Sequence, residues 1–268
     1  MLETRGMKWA LSIPLLDSQV LSTINKKMTE AFGGEFTQVI IGGAPMNPEA
    51  EAFFKKIGFR FTVGYGMTEC APLISYTYWA DYKHKSVGKL LDWMEAKIES
   101  NDPQNEVGEI LVRGENVMMG YYKNAEATKA VLDEDGWLHT GDMGTMDFDG
   151  TLYIRGRNKN MLLGPSGQNI YPEEIEAKLN NMPFVLESLI IQMADNRLMA
   201  LVVPDYAAVD AAKMSHDEID VVMEENRKAL NAITASYESI AIVKIHPNEF
   251  EKTPKKSIKR FLYTNMGK

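Results

Sequence analysis

Between Phe36 and Gly66 the sequence twice runs from a short β-branched segment into closely spaced glycines, with one helix-length stretch between them. "FTQVIIGGAPMN" contains Gly42-Gly43, and "FRFTVGYG" ends on Gly64-Tyr65-Gly66. Asn47 stands where a helix cap is wanted, Pro48 at a first helical position and Gly58 as the stop, so "PEAEAFFKKIG" reads as a helix. Strand, glycine turn, helix, strand, glycine turn is the rhythm of a parallel α/β layer, since parallel neighbours need a crossover between them. Ahead of it, Ser18 to Phe32 sets Val20, Leu21, Ile24 and Met28 at helical spacing.

The pattern then changes twice. Past Tyr76 come short strands separated by Gly, Asp and Asn turns, with a short helix expected in "KNAEATKAVLDEDG". Asp149-Gly150 between alternating residues predicts a hairpin, and the stretch reads as a small antiparallel, barrel-like sheet. Past Arg157, a helix opens at Pro172, and apolar strands "VLESLIIQMA", "LMALVVPD" and "IAIVKIHP" surround an acidic amphipathic helix. The expected fold is therefore α/β plus α+β: the end of an α/β parallel-sheet subdomain, a β-rich subdomain, and a small C-terminal α+β domain. A boundary at about residue 157 divides the 268 residues into 1–157 and 158–268.

Composition excludes some functions. Lys+Arg 29 against Asp+Glu 37 gives net charge −8, a poor basis for binding nucleic acid polymers through phosphates. Basic patches remain able to bind small anions, because placement outweighs the total. The single cysteine, Cys70, excludes an intrachain disulfide and suits a reducing cytoplasm. No run of 18 apolar residues predicts a transmembrane helix, and the first residues lack a signal-peptide core; peripheral membrane contact stays open. The 17 methionines read as core gap-fillers.

Three stretches carry chemistry. In "VGYGMTECAP", Gly64 and Gly66 allow close backbone approach, and Thr68-Glu69 offer oxygens suited to a phosphate-bound Mg2+. In "WLHTGDMG", Asp142 sits in a turn after a strand, where a carboxylate can take a ribose diol. "YIRGRNKNMLLGPSGQNIYPEEIE" sets Arg157 and Lys159 ahead of a glycine loop and an acidic helix start. Each alone also reads as an ordinary turn, cap or linker.

Taken in order with "GGAPMN", "GEILVRGENVMMGYY" and "EKTPKKSIKR", these motifs resemble the acyl-adenylate-forming superfamily of acyl-CoA synthetases, adenylation domains and luciferases. "GYGMTECAPLISY" and "GQNIYPEEIE" are most similar to long-chain fatty acid–CoA ligases. The resemblance covers nearly the whole chain except roughly its first fifteen residues. It implies that a fatty acid carboxylate and ATP give acyl-AMP, and that coenzyme A then takes the acyl group. It further implies that Gly42, Gly43 and Ala44 line adenine, that Tyr65, followed by Gly66, stacks on it, that Thr68 contacts phosphate and that Glu69 holds Mg2+. Asp142 and Arg157 match the ribose contacts, Lys159 a hinge between the two steps, and Gly167 the pantetheine tunnel.

Two departures stand out. The family's phosphate loop ending in Pro-Lys-Gly is not found in this sequence, and complete relatives are about twice as long, so the chain reads as a C-terminal half, unable to adenylate well by itself. The family's Pro-Lys-Thr-x-x-Gly-Lys-Ile-x-Arg, laid on "EKTPKKSIKR", sets Lys252, Thr253, Ile258 and Arg260 in register, puts Lys256 in the glycine's place, and puts Ser257 at the catalytic lysine. Loss of one such transition-state contact costs on the order of 10²–10³ in rate. Lys255 and Lys259 would share the face of Ser257 in an extended segment, while a one-residue slip would bring Lys256 in; Lys256 is the candidate taken. Two other readings stand beside a CoA ligase: a ligase loading an acyl carrier protein, and a non-catalytic acyl-adenylate-binding module.

Overall fold

The computed structural model describes residues 14–254 and 256–267. In chain order its elements are α1 (Pro14–Ala31), β1 (Val39–Ile41), α2 (Pro48–Ile57), β2 (Phe61–Val63), β3 (Tyr65–Gly66), β4 (Leu73–Tyr76), β5 (Lys89–Leu90), β6 (Met94–Ile98), β7 (Gly108–Gly114) and α3 (Ala125–Lys129). There follow β8 (Leu138–Met146), β9 (Leu152–Arg157), β10 (Leu162–Leu163), β11 (Asn169–Ile170), α4 (Pro172–Leu179), β12 (Val185–Gln192), β13 (Leu198–Pro204), α5 (Tyr206–Ala212), α6 (His216–Ile233) and β14 (Ile240–Ile245). Two compact units result. The first holds the described residues up to Glu95 with Arg113–Ala125 and Asp147–Tyr153; the second holds Ala96–Val112, Glu126–Met146 and the described residues from Ile154.

In the first unit the glycine-punctuated rhythm folds as expected. β1 and β2 pair in parallel, Val39 opposite Phe61 and Ile41 opposite Val63, with α2 as the crossover. The Asn47 side chain accepts from the amides of Glu49 and Ala50 at 2.9 and 3.1 Å, and Gly58 ends the helix at φ 70°. Leu21, Ile24 and Met28 of α1 pack on Ile57, Phe59, Phe61 and Val63, so the helical stripe is a core stripe. Glu51, on α2 and only 2% exposed, is met from several sides. It accepts from the Tyr82 hydroxyl at 2.8 Å and the Lys85 amide at 2.7 Å, and His84 Nδ1 lies 2.8 Å away. Burial and this carboxylate push the Tyr82 phenol far above its usual range.

The β-rich stretch is open. β3-β4-β5 is a three-stranded antiparallel sheet, and the order β6-β7-β8-β9 is that of an open four-stranded sheet, with no closed barrel among the described residues. The Asp-Gly turn forms as expected: Gly150, at φ 79°, donates its amide to the Asp147 carbonyl, and the Asp147 amide donates to the Thr151 carbonyl. Lys83 ties the turn down, 2.8 Å from Asp147 and 3.1 Å from Asp149.

In the second unit β12 and β13 pair antiparallel and β13 and β14 parallel. Every residue of β13 is buried, which explains the continuous apolar run "LMALVVP". One face of this sheet sets Ile190, Ala200 and Val202 against Ile175 and Leu179 of α4 and Ile219, Met223 and Leu230 of α6. The other sets Leu189, Ile191, Met199 and Leu201 against Phe250 and Tyr263. A Ser215–Glu218 capping box starts α6. Among the described residues no helix is long and apolar enough to cross a membrane.

The Asn47 cap has a measurable share in the first unit. Asn47→Ala should lower unfolding free energy by about 1 kcal/mol, read as a shifted urea midpoint at unchanged slope; Asn47→Ser should restore most of it.

Candidate functional site

The first unit gathers the glycines expected at a nucleotide base. The Gly64 amide donates to the carbonyl of Ile41, the last residue of β1, at 2.9 Å. A Cβ on Gly42 would lie 3.3 Å from the Gly64 carbonyl oxygen, so the two turns touch through backbone. Gly43 takes φ 85° and has open space beside it, with Ala44 following. Gly66 has no room at all: a Cβ would stand 2.1 Å from the Pro72 carbonyl oxygen. Tyr65, opposite Ser75 on β4, is only 7% exposed, so a stacking role there requires one ring face to be uncovered.

Thr68-Glu69-Cys70 form a 3-10 turn, which exposes Thr68 and half-buries Glu69. Glu69 is clamped twice. Its carbonyl accepts from the Met118 amide at 2.7 Å, and its Oε1 accepts from the Tyr121 hydroxyl at 2.8 Å. That bond, with some burial, raises the Tyr121 phenol above its usual range. Asn116 completes the clamp, donating to the carbonyls of Cys70 and Leu73 at 2.6 and 2.9 Å. Cys70 is fully buried, and burial, then the neighbouring Glu69, push its thiol up to about 11, an inert structural thiol. No group of three metal-ligating side chains occurs among the described residues. A single carboxylate at Glu69 does suit Mg2+ arriving on phosphates, since that ion keeps waters and takes one or two carboxylates.

The second unit gathers the ribose candidates. Asp142, 4% exposed, receives Arg157 Nε at 2.7 Å, and a second guanidinium nitrogen stands 3.5 Å from its other oxygen. The Asp142 amide donates to the Thr140 hydroxyl, which donates to the Ile110 carbonyl. Gly141, Arg157, Asn158 and Lys159 line an open cleft of about 370 Å³. Lys159 lies in the 3-10 turn Asn158–Asn160 directly after β9. Gly167, at φ 84°, makes the turn between β10 and β11, its amide donating to the Gly164 carbonyl.

The lysine-rich segment folds as a hairpin. Lys252 pairs with Ile258, the Thr253 amide donates to the Ser257 carbonyl, and the Lys256 amide donates to the Thr253 carbonyl. That is a turn followed by a bulge, whose last loop residue must be left-handed. Lys256 occupies it at φ 65°. The same position is where the resembling motif carries glycine, the residue that takes a left-handed conformation at no steric cost. Lys252 is held by Glu187 at 2.6 Å, and Lys259 by Glu251 at 3.1 Å. Lys256 is exposed and makes no ion pair among the described residues. Lys255 lies outside them.

The hairpin leads into Arg260, which donates to Glu176 of α4 and to the Ile190 carbonyl at 3.4 Å. Glu176 also accepts from the Ile190 amide at 2.7 Å. Three side chains near these elements were not marked by the sequence reading. Tyr121 holds Glu69. Glu109 accepts from the Gly141 amide at 2.9 Å and faces His139 Nδ1 at 3.4 Å, bracing β8 beside Asp142, which lies within that strand and not in the turn after a strand that its motif suggests. Glu173 contacts both Asn160 and Arg260. The quoted "GYY", "GEI" and "PEEIE" strings contained them, but spacing alone does not say whom a tyrosine or glutamate will meet.

The family model described as "AMP-binding enzyme" matches residues 6–122, and that described as "AMP-binding enzyme C-terminal domain" matches residues 160–266. The long-chain-fatty-acid–CoA ligase of Salmonella typhimurium is 45% identical over 141 residues, 50% of this chain and 25% of that protein. The long-chain-fatty-acid–CoA ligase FadD15 of Mycobacterium bovis is 29% identical over 256 residues, 88% of this chain and 42% of that protein. Among solved structures, MatB from Rhodopseudomonas palustris with ATP bound is 26% identical with TM-score 0.71, covering 88% of this chain and 47% of its own. The o-succinylbenzoate CoA synthetase of Bacillus subtilis, in complex with its acyl-adenylate intermediate, is 27% identical with TM-score 0.69, covering 91% and 52%. The chain thus spans a quarter to about half the length of these relatives.

Two measurements check the geometry. Lys256→Gly should stabilise the hairpin by up to about 1 kcal/mol, because a left-handed residue with a Cβ is strained; a lower melting temperature would contradict that turn. Glu176 is buried, and burial pushes its carboxyl up to about 7 against the opposing pull of Arg260 and the Ile190 amide. A carboxyl raised on folding contributes stability that is fully present below its ordinary range and lost as pH rises through about 7. Unfolding free energy should therefore fall by at most about 3 kcal/mol on going from acid to neutral conditions. Glu176→Gln should flatten that slope in urea titrations across pH.

Proposed function

We propose, for a chain that belongs to the AMP-binding enzymes, that it is the C-terminal part of an ATP-dependent fatty acyl–CoA synthetase. The proposal divides it at about residue 157, between the end of a large nucleotide-binding domain and a small C-terminal domain. The observation that carries the reading is the Arg157–Asp142 fork beside an open cleft. A buried carboxylate with a guanidinium on it, at the edge of a cleft lined by Gly141 and Lys159, suits the diol and phosphate of a nucleotide. The printed activities of the fatty-acid ligases above supply the substrate class.

The reaction proposed for the whole protein has two steps. A fatty acid carboxylate oxygen attacks the α-phosphorus of ATP, the bond to pyrophosphate breaks, and acyl-AMP forms. The thiol sulfur of coenzyme A then attacks the acyl carbonyl, AMP leaves, and the thiol proton passes to solvent. In this reading Gly42, Gly43 and Ala44 lie along adenine, Tyr65 stacks on it with Gly66 following in the same turn, and Thr68 meets phosphate. Asp142 and Arg157 orient the ribose, Lys159 is the pivot between steps, and Gly167 lines the thiol's approach. Mg2+ held at Glu69 would neutralise phosphate charge, and Tyr121 orients that carboxylate. Lys256, exposed and without an ion pair among the described residues, supplies the ammonium that Ser257 cannot. The lone buried cysteine accords with a cytoplasmic setting.

A second reading is favoured by one observation: with Ser257 in the lysine register, the chain would be an acyl-adenylate-binding module without turnover. ATP–pyrophosphate exchange on the whole protein separates the two. Fatty-acid-dependent exchange that Lys256→Ala lowers by about 10²–10³ supports catalysis through Lys256. Exchange appearing only in Ser257→Lys supports the binding module. No exchange in either protein overturns the ligase reading, and exchange by the 268-residue chain alone at a complete relative's rate overturns its incompleteness. Holo-acyl carrier protein tested against CoA as acceptor decides which thiol is used.

A further inference from the structure

Glu173 is a single carboxylate set among three segments of the second unit. Its Oε1 accepts from Asn160 Nδ2 at 2.6 Å, and Asn160 closes the turn that carries Lys159. The same oxygen lies 3.6 Å from Arg260 Nε. Its Oε2 is buried with no hydrogen-bond partner among the described residues, 3.1 Å from where a Cβ on Gly156 would stand. The backbone just before Arg157 therefore lies directly over it, an approach that a side chain at 156 would obstruct. Arg260 sits two residues beyond Ile258, the last paired residue of the lysine hairpin, and the Lys259 amide returns to the Glu251 carbonyl at 2.8 Å.

We propose that Glu173 is a positioning residue that couples the Gly156–Asn160 segment to the hairpin bearing Lys256 and Ser257. The first segment carries Arg157 and Lys159; the second carries the residues in the register of the motif's lysine. Arg260 cannot shift along α4 without leaving Glu173 or Glu176, and either loss leaves a largely buried guanidinium one carboxylate short, which is costly. Asn160 cannot leave Glu173 without depriving the carboxylate of its hydrogen-bond donor. A change in the turn after β9 is thus felt at the hairpin through one carboxylate. Glu174, next in sequence, pairs instead with Arg155 at 3.2 Å and is outside this chain of contacts. The catalytic meaning of the coupling rests on the proposed adenylation reading; the coupling itself does not.

The test is native-state amide exchange by NMR on the ligand-free 268-residue chain. The reporters are the amides of Thr253, Lys256 and Lys259 in the hairpin and Met161 after the turn, with β13 amides as the control for global opening. Asn160→Ala should speed exchange of the hairpin amides by roughly 2–30-fold while β13 is unchanged. In a Glu173→Gln background, which keeps an acceptor for Asn160 but removes the charge facing Arg260, the same substitution should leave the hairpin amides unmoved. Glu174→Gln should leave the effect intact. An equal effect of Asn160→Ala with and without Glu173→Gln overturns the proposal, as does a hairpin indifferent to Asn160→Ala. If Glu173→Gln exposes β13 to exchange, Glu173→Asp replaces it, and the same two outcomes decide. Because no nucleotide is present, a negative pyrophosphate-exchange result would count against the ligase reading and not against this coupling.

Discussion

A carboxylate buried in a protein interior must be answered by the protein itself, and Glu176 is such a carboxylate. Arg260 meets one oxygen, and the amide of Ile190 meets the other. Glu176 stands on α4, and these partners come from β12 and from the segment after the lysine hairpin. Removing either partner would leave an unpaired polar group in the interior, which is costly. The hairpin is therefore no loose basic tail. It hangs from a buried ion pair at Arg260, from Lys252 on Glu187, and from the Phe250 amide, which also donates to Glu187.

The first unit works by a different constraint, the absence of side chains. Gly42 and Gly64 meet through backbone, and Gly66 stands against Pro72 with no space for a methyl group. These approaches close the ends of β1 and β2 over one another and pin the start of the Thr68-Glu69 turn. Asn116, Met118 and Tyr121 then hold that turn from a distant part of the chain. The carboxylate at Glu69 is thus oriented by a tyrosine about fifty positions away in sequence.

Much of this was legible in the residues. The parallel pairing of β1 and β2 followed from glycine, proline and asparagine placed at helix and strand ends, because these residues act locally. So did the Asp149-Gly150 turn and the helix opening at Pro172. The barrel-like expectation was less accurate: the four strands remain an open sheet, since closure depends on register and strand stagger rather than on local pattern. The positions of Asp142 and Arg157 were legible as motif letters, but their mutual ion pair was not, because fifteen residues and a hairpin separate them.

By itself the sequence determined the element types, their order, the family to which the chain belongs, and the serine at position 257. These depend on local backbone preference, on hydrophobic period and on ordered motifs, all of which are written along one dimension. Only the tertiary structure decided that Lys256 takes the left-handed position of the turn, that Lys252 and Lys259 are already paired, and that Glu173 and Glu176 answer Arg260. Those facts depend on which distant side chains share a desolvated space, and sequence spacing carries no record of that.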